Sequence, residues 1–127
     1  MSSKDKGTAA ERELVHMFWK AGWAALRSAG SGAIRYPVPD ILAANNVRKL
    51  ALECKTFRKR IHISRKEIED LKTFSHIFGA ESWVALRLVG GEWFFLALED
   101  FKETKKGFTA DEELCRMKGL LFEQLVA

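Results

Sequence analysis

Two apolar segments, residues 41–44 and 50–54, flank Asn45-Asn46, a turn signal, and charged residues stand at their ends. Pro39-Asp40 precedes the first segment, and the second carries Glu53 and runs into Lys55. Side chains along a strand alternate faces with a period of two. Glu53 and Lys55 therefore share a face with Ala51, while Leu50, Leu52 and Cys54 line the other. A loop made of residues 45–48 turns the segments into an antiparallel hairpin with Asp40 directly opposite Glu53. Opposed residues have Cβ atoms about 4.5–5.5 Å apart. Two carboxylates that close repel unless a proton or a cation lies between them. One account makes Asp40 a turn cap and pairs Glu53 with Lys55 on a solvated edge. The flanks are too apolar for an edge in water, so a bridging cation is the better account. Mg²⁺, which takes one or two carboxylates with waters and phosphate oxygens, suits such a pair.

The chain has 127 residues, 47% of them hydrophobic, enough for one domain, 1–127, with a proper core. It contains no internal repeat. The longest run free of Asp, Glu, Lys and Arg is 73–80, far short of the roughly 18 apolar residues a membrane span needs. Residues 1–6 lack the apolar core of a signal peptide. The expectation is a cytoplasmic protein with no membrane partner. Cys54 and Cys115 are too far apart in sequence for a metal or disulfide motif.

Charge is unevenly spread. Residues 98–127 hold seven acids and five bases, a net charge of −2, while sixteen bases and ten acids leave 1–97 at +6. Between 55 and 66 stand Lys55, Arg58, Lys59, Arg60, Arg65 and Lys66, with no acid among them. Taken alone, this run fits a solvated loop as well as a phosphate-binding surface. Beside an acidic pair, it suggests a phosphate-bearing polymer brought to a metal.

Residues 9–21 read as a helix: Thr8 and Glu11 fit a capping box, and Ala10, Leu14, Met17, Phe18 and Ala21 have helical spacing. Glu11 lies on the apolar stripe of that helix. It either completes the cap or aims a third carboxylate at the metal site, and the two roles are compatible. Arg12 beside it is placed to reach a phosphate. Gly22 ends the helix and 23–28 form a strand, in which Arg27 either snorkels from an edge or points into the site. Residues 29–33 form a small-residue loop whose Ser31 can bond phosphate if the loop is more than a connector. Arg35 and Tyr36, just beyond, are candidates for touching DNA.

After the central hairpin come a basic turn at 57–60, an extended piece at 61–63 and a second capping box, Ser64-Arg65-Lys66-Glu67. That box opens a helix to Phe78 which stops at Gly79. Ile68, Leu71, Phe74, Ile77 and Phe78 cover about half its circumference, more than one core needs. The excess fits either a subunit contact or packing between two layers. Residues 82–88 and 92–98 flank Gly90-Gly91 as a second hairpin. Within it, Arg87 faces either the site groove or solvent. A strand at 108–110 and a short helix at 119–126 complete the outline. His16, His62 and His76 have no partner at ligand spacing.

An Asp and a Glu holding Mg²⁺, with a Lys on the Glu face, make a hydrolytic arrangement, since a metal lowers the pKa of bound water and steadies charge on a phosphate. Lys55 is better suited to orient that water and offset developing charge than to act as a base with a lowered pKa. The backbone carbonyl of Cys54 is a candidate extra ligand.

Pro39-Asp40 with Glu53-Cys54-Lys55 resembles the PD-(D/E)xK nuclease motif. The wider pattern, Gly7-x-x-x-Glu11-Arg12-Glu13-Leu14, Gly22, Arg27-Ser28-Ala29-Gly30-Ser31-Gly32 and 74–79, resembles the archaeal Holliday junction resolvases across most of the chain. The resemblance implies an α/β, restriction-endonuclease-like domain, a mixed central sheet flanked by helices. It implies a homodimeric endonuclease dependent on Mg²⁺, with Mn²⁺ as substitute, that cuts four-way DNA junctions. On that basis Asp40, Glu53 and Glu11 are metal ligands. Glu11, Ser31, Asp40, Glu53 and Lys55 form the catalytic set, and Arg12 and Arg27 match basic residues used on DNA. Phe74 and Phe78 match a pair of helix aromatics, and Arg87 stands where some relatives have lysine. With the basic run, the DNA-binding candidates are Arg12, Arg27, Arg35, Arg58, Lys59, Arg60, Arg65 and Lys66. Two alternatives stand beside this: another PD-(D/E)xK nuclease of repair or restriction type, and a non-catalytic DNA-binding module.

Overall fold

The computed structural model describes residues 3–28 and 35–127, with side chains from residue 7 onward. A first helix, α1 (Ser3–Lys20), leads into β1 (Ala24–Arg27), β2 (Ile41–Ala44) and the long β3 (Lys49–Phe57). Next come β4 (Arg60–Ile63), α2 (Arg65–Phe78), β5 (Glu81–Leu88) and β6 (Trp93–Leu96). A 3-10 turn (Leu98–Asp100), β7 (Lys102–Thr104), β8 (Gly107–Asp111), α3 (Glu112–Lys118) and α4 (Phe122–Leu125) complete the chain.

Five strands form a mixed sheet in the order β1-β2-β3-β5-β6, in which only β3 and β5 are parallel. The period of two along its strands sorts the core onto two faces. Leu50 and Leu52 of β3 join Ile41, Ala43 and Phe95 beneath Leu14 and Phe18 of α1 and Leu125 of α4. Ala51 turns the other way and joins Val84, Leu86, Phe94 and Leu96 beneath Ile68 and Leu71 of α2. A second sheet, β4-β8-β7, lies on that side, and its Ile63 and Ala110 enter the same core, as does Cys115 of α3.

The hairpin has the expected register. Ala44 pairs with Lys49 and Ile41 with Leu52, closed by the 45–48 loop, where the Asn45 N–H donates to the Arg48 carbonyl at 3.0 Å. The Asn45 side chain also accepts from the N–H groups of Val47 and Arg48 at 2.8 and 2.7 Å. One step past Ile41, the register carries Asp40 opposite Glu53. The capping box of α2 is complete, and Gly79 ends it in the left-handed region (φ 79°).

The extended piece at 61–63 is present as β4, where Ile61 and Ile63 face Ala110 and Phe108 of a strand almost fifty residues later. Two expectations need correction. The first helix begins at Ser3, so Thr8 and Glu11 lie inside it and form no N-terminal cap. The tail holds an additional strand, β7, and an additional helix, α3. Gly107, at φ 147°, lets β4 lie close against the start of β8, because a Cβ there would stand 2.5 Å from the Ile63 carbonyl oxygen.

The two edges of the large sheet differ. The free side of β6 is covered, with Phe95 and Leu120 exchanging backbone hydrogen bonds at 2.8 and 2.9 Å. At the other edge, Leu26 of β1 is 56% exposed. It shares an apolar groove of about 290 Å³ with Trp19, Leu42, Leu50 and Phe78. Ile77, the neighbour of Phe78 in α2, is 80% exposed. No helix among the described residues is long and apolar enough to cross a membrane.

Candidate active site

Asp40 sits where the chain enters β2. Its backbone carbonyl accepts the Ser28 N–H at 2.9 Å, which ties it to the end of β1. Its carboxylate Oδ2 accepts the Cys54 N–H at 2.9 Å. Glu53, on the neighbouring strand, comes within hydrogen-bonding reach of Asp40, and its carboxyl is pushed up to about 9 by burial and then by the Asp40 charge. That direction is the one expected when two carboxylates are forced together. Cys54 between them turns to the α1 side, its thiol held well above the ordinary range by burial and by nearby carboxylates. It is an inert thiol.

Lys55 shares the Glu53 face, and its Nζ meets Glu67 Oε2 at 2.5 Å. Burial alone would lower its pKa, but the Glu67 partner outweighs burial and holds the ammonium above its ordinary value. Lys55 is a standing cation, which favours the electrostatic role over the base. Burial would raise Glu67 too, yet the hydrogen bond from Lys55 brings its carboxyl below the usual range. Glu67 also closes the capping box, accepting the Ser64 N–H at 3.3 Å while its own N–H donates to Ser64 Oγ at 3.1 Å. The sequence reading gave Glu67 only that capping task. Its second partner depends on α2 docking against β3, which no local pattern announces.

This double duty yields a prediction. Glu67→Gln preserves a capping-box residue but removes the charge that fixes Lys55. For the nuclease that the motif implies, DNA cleavage by this variant at saturating substrate should fall about tenfold, in line with the cost of losing an outer-shell partner, with KM and the melting temperature little changed. Glu67→Ala should show the same kinetic loss and melt earlier. Steady-state kinetics with thermal melts of both variants separate the roles.

Glu11 reaches the neighbourhood from the middle of α1, where its Oε1 accepts from Arg27 Nε at 3.2 Å. Burial and the Asp40 charge raise its pKa, against the pull of Arg27. Arg27 is therefore turned inward as a partner of an acid. Among the described residues no three His, Cys, Asp or Glu side chains gather tightly enough to hold a metal by themselves. The donor set fits a hard cation all the same, because Asp40 and Glu53 present carboxylate oxygens that otherwise require a proton between them, and Mg²⁺ takes the rest of its shell from waters and phosphate.

A cavity of about 220 Å³ opens beside the pair, lined by Arg35, Asp40, Glu53, Lys66, Glu67 and Asp70. Arg35 lies over the Tyr36 ring at 5.5 Å. Lys66 pairs with Asp70 at 2.7 Å, and Arg65 with Glu103 at 2.6 Å. Arg12, Arg58, Lys59 and Arg60 are exposed. Ser31 lies outside the described residues. Arg87 does not face this site: it pairs with Glu13 at 3.0 Å and donates to the carbonyls of Leu88 and Gly91, while the Trp93 indole N–H donates to the same Glu13.

A mixed sheet between helical layers, with Pro-Asp opposite Glu-x-Lys, defines a nuclease of the PD-(D/E)xK superfamily with the restriction-endonuclease-like fold. Residues 2–127 match the archaeal Holliday junction resolvase (hjc) family, and the chain belongs to that family. It is 42% identical to the crossover junction endodeoxyribonuclease Hjc of Archaeoglobus fulgidus, covering 95% of each chain. It is 34% identical to that of Methanocaldococcus jannaschii over 86% of this chain and 78% of the relative. The solved structure of Archaeoglobus fulgidus Hjc, a Holliday junction resolvase, superimposes with a TM-score of 0.89 at 39% identity. That match covers 95% of this chain and all of the other.

Proposed function

We propose that this protein is a Mg²⁺-dependent endodeoxyribonuclease, one domain spanning 1–127, that resolves four-way DNA junctions by hydrolysing two opposed phosphodiesters. The observation that carries the reading is the Asp40–Glu53 carboxylate pair with Lys55 on the same strand face, in a chain of the resolvase family. Asp40 and Glu53 would hold the ion, with the Cys54 carbonyl as a further donor and Glu11 at the margin of the site. A bound Mg²⁺, or Mn²⁺ in its place, supplies a water of lowered pKa and offsets charge on the phosphate. Lys55 sets its ammonium against the negative charge that develops on the scissile phosphate, and Glu67 keeps it aimed there. Arg12, Arg35 and the Arg58-Lys59-Arg60 turn engage flanking phosphates, giving register without base readout. Arg27 steadies Glu11, and Ser31 belongs to the catalytic loop by resemblance. The protein works in the cytoplasm, on recombining DNA. The test is cleavage of a synthetic four-way junction, compared with linear, nicked and flap DNA, with Mg²⁺ or a chelator. Equal cutting of linear duplex would turn the reading towards a repair or restriction nuclease, and binding without any cutting towards a DNA-binding module.

Two opposed cuts require two sites with matching geometry, which a twofold homodimer supplies. Its interface is the groove of Trp19, Leu26 and Phe78, extended by Ile77. Leu26→Asp buries an unpaired charge in that contact and should weaken the dimer at least about 10²-fold, roughly 3 kcal/mol. The variant then sediments as a single copy and nicks junctions on one strand. A variant that stays dimeric in sedimentation would remove this groove from the interface.

A further inference from the structure

We propose that the exposed face of the second sheet, β4-β8-β7, carries one duplex arm of the junction through its phosphates, an inference that rests on the resolvase reading. The register sets the face: Lys102 lies opposite Thr109 and Thr109 opposite His62, with Arg60 opposite Asp111 in the row two residues away. These side chains point away from the core, since Ile61, Ile63, Phe108 and Ala110 occupy the other face. The turns at the two ends of the sheet add Arg58-Lys59 and Lys105-Lys106.

Pairing separates this patch from many of the other cations of the described residues. Arg27, Arg48, Lys55, Arg65, Lys66, Lys72, Arg87 and Arg116 each have a carboxylate partner. Among the described residues no ion pair engages Arg58, Lys59, Arg60, Lys102, Lys105 or Lys106. The carboxylate on the face, Asp111, is already committed to capping α3 through the Leu114 N–H at 2.9 Å. Unpaired cations gathered on one polar sheet face present charge to a polyanion.

Dimension and position agree. From Lys59 to the Lys105-Lys106 turn the strands run about 20 Å, matching about six nucleotide steps of 3.4 Å. Arg58 follows Lys55 by three residues, so the track begins at most about 10 Å from the catalytic lysine. At its far end, Arg65 joins the sheet to α2 through Glu103 and the Thr104 carbonyl, and α2 lines the active-site cavity. Duplex leaving the site therefore meets this face about three to nine steps from the cut.

The experiment is a cycle between protein charge and DNA charge. Junction binding is measured in chelator, for wild type and for Lys102→Ala/Lys105→Ala/Lys106→Ala, with neutral methylphosphonates three to nine steps out, far out, or absent. The triple variant should bind unmodified junction about 10²-fold more weakly, with a salt slope shallower by about 2 to 3. Neutral linkages in the near window should weaken wild type similarly and hardly affect the variant, while the far patch affects neither. The triple Lys→Arg variant should bind like wild type, and melting temperatures exclude unfolding. Unchanged affinity and slope, multiplying effects of protein and DNA changes, or failure of the Arg variant to restore binding would each overturn the proposal alone. If wild type binds no junction, the resolvase reading falls, and this proposal with it.

Discussion

Asp40→Asn should fold, bind four-way junctions and cut them at least about 10³-fold more slowly than wild type, the scale seen when one charge-stabilising group is lost. Asparagine keeps an oxygen able to accept the Cys54 N–H, so the anchor that joins Asp40 to β3 at 2.9 Å survives. What disappears is the negative charge that, with Glu53, would give a divalent ion reason to settle at this corner of the sheet. Lys55 and Glu67 remain paired at 2.5 Å, leaving a site with a cation of its own and too little anion to recruit another. Single-turnover cleavage at saturating Mg²⁺, set beside a binding titration in chelator, reads the two halves separately. Cutting within tenfold of wild type would remove Asp40 from the metal site. Lost binding would assign it a structural task instead.

The parts of this site legible in sequence were those close together along the chain. A four-residue loop and strict alternation leave the hairpin a single register that sets Leu50 and Leu52 beneath α1, because a one-residue slip would carry them to the Ala51 face. That register sets Asp40 against Glu53. The start of α2 was equally legible, since both halves of its capping box lie within four residues. Long-range partners were hidden. By sequence Glu11 is half of a cap, a third carboxylate of the site, or both; the helix extends through Thr8, which excludes the cap and leaves the carboxylate for Arg27. Arg87, which by sequence faces either the site groove or solvent, belongs to Glu13 and Trp93. The charge tally by segment misled most. Residues 98–127 are net negative, yet Lys102 and the Lys105-Lys106 turn fold onto a sheet with Arg60. Their acidic neighbours Glu103, Asp111 and Glu112 are occupied by Arg65, the α3 cap and Arg116.

Without divalent ions, the protein should lose stability steadily as pH rises from about 5 towards 9. Glu53 holds its proton up to about 9 in the folded chain, owing to burial and then Asp40, whereas an ordinary glutamate releases it near 4.5. Between those values the folded state binds more protons than the unfolded state, so raising pH favours unfolding. Below the window both states are protonated and the group contributes no slope. The limiting slope for one such group is about 1.4 kcal/mol per pH unit, so the loss between pH 6 and 8 is at most a few kcal/mol. Glu53→Gln removes the titrating group and should flatten this part of the profile. Mg²⁺ should flatten it for wild type, because a bound cation takes the proton's place between the carboxylates and Glu53 then favours ionisation. Denaturant melts across this range, in chelator and in Mg²⁺, measure both effects independently of cleavage. A wild-type profile in chelator no steeper than that of Glu53→Gln would mean the carboxylates are not held together. A steep profile untouched by Mg²⁺ would mean the pair is real but binds no such ion.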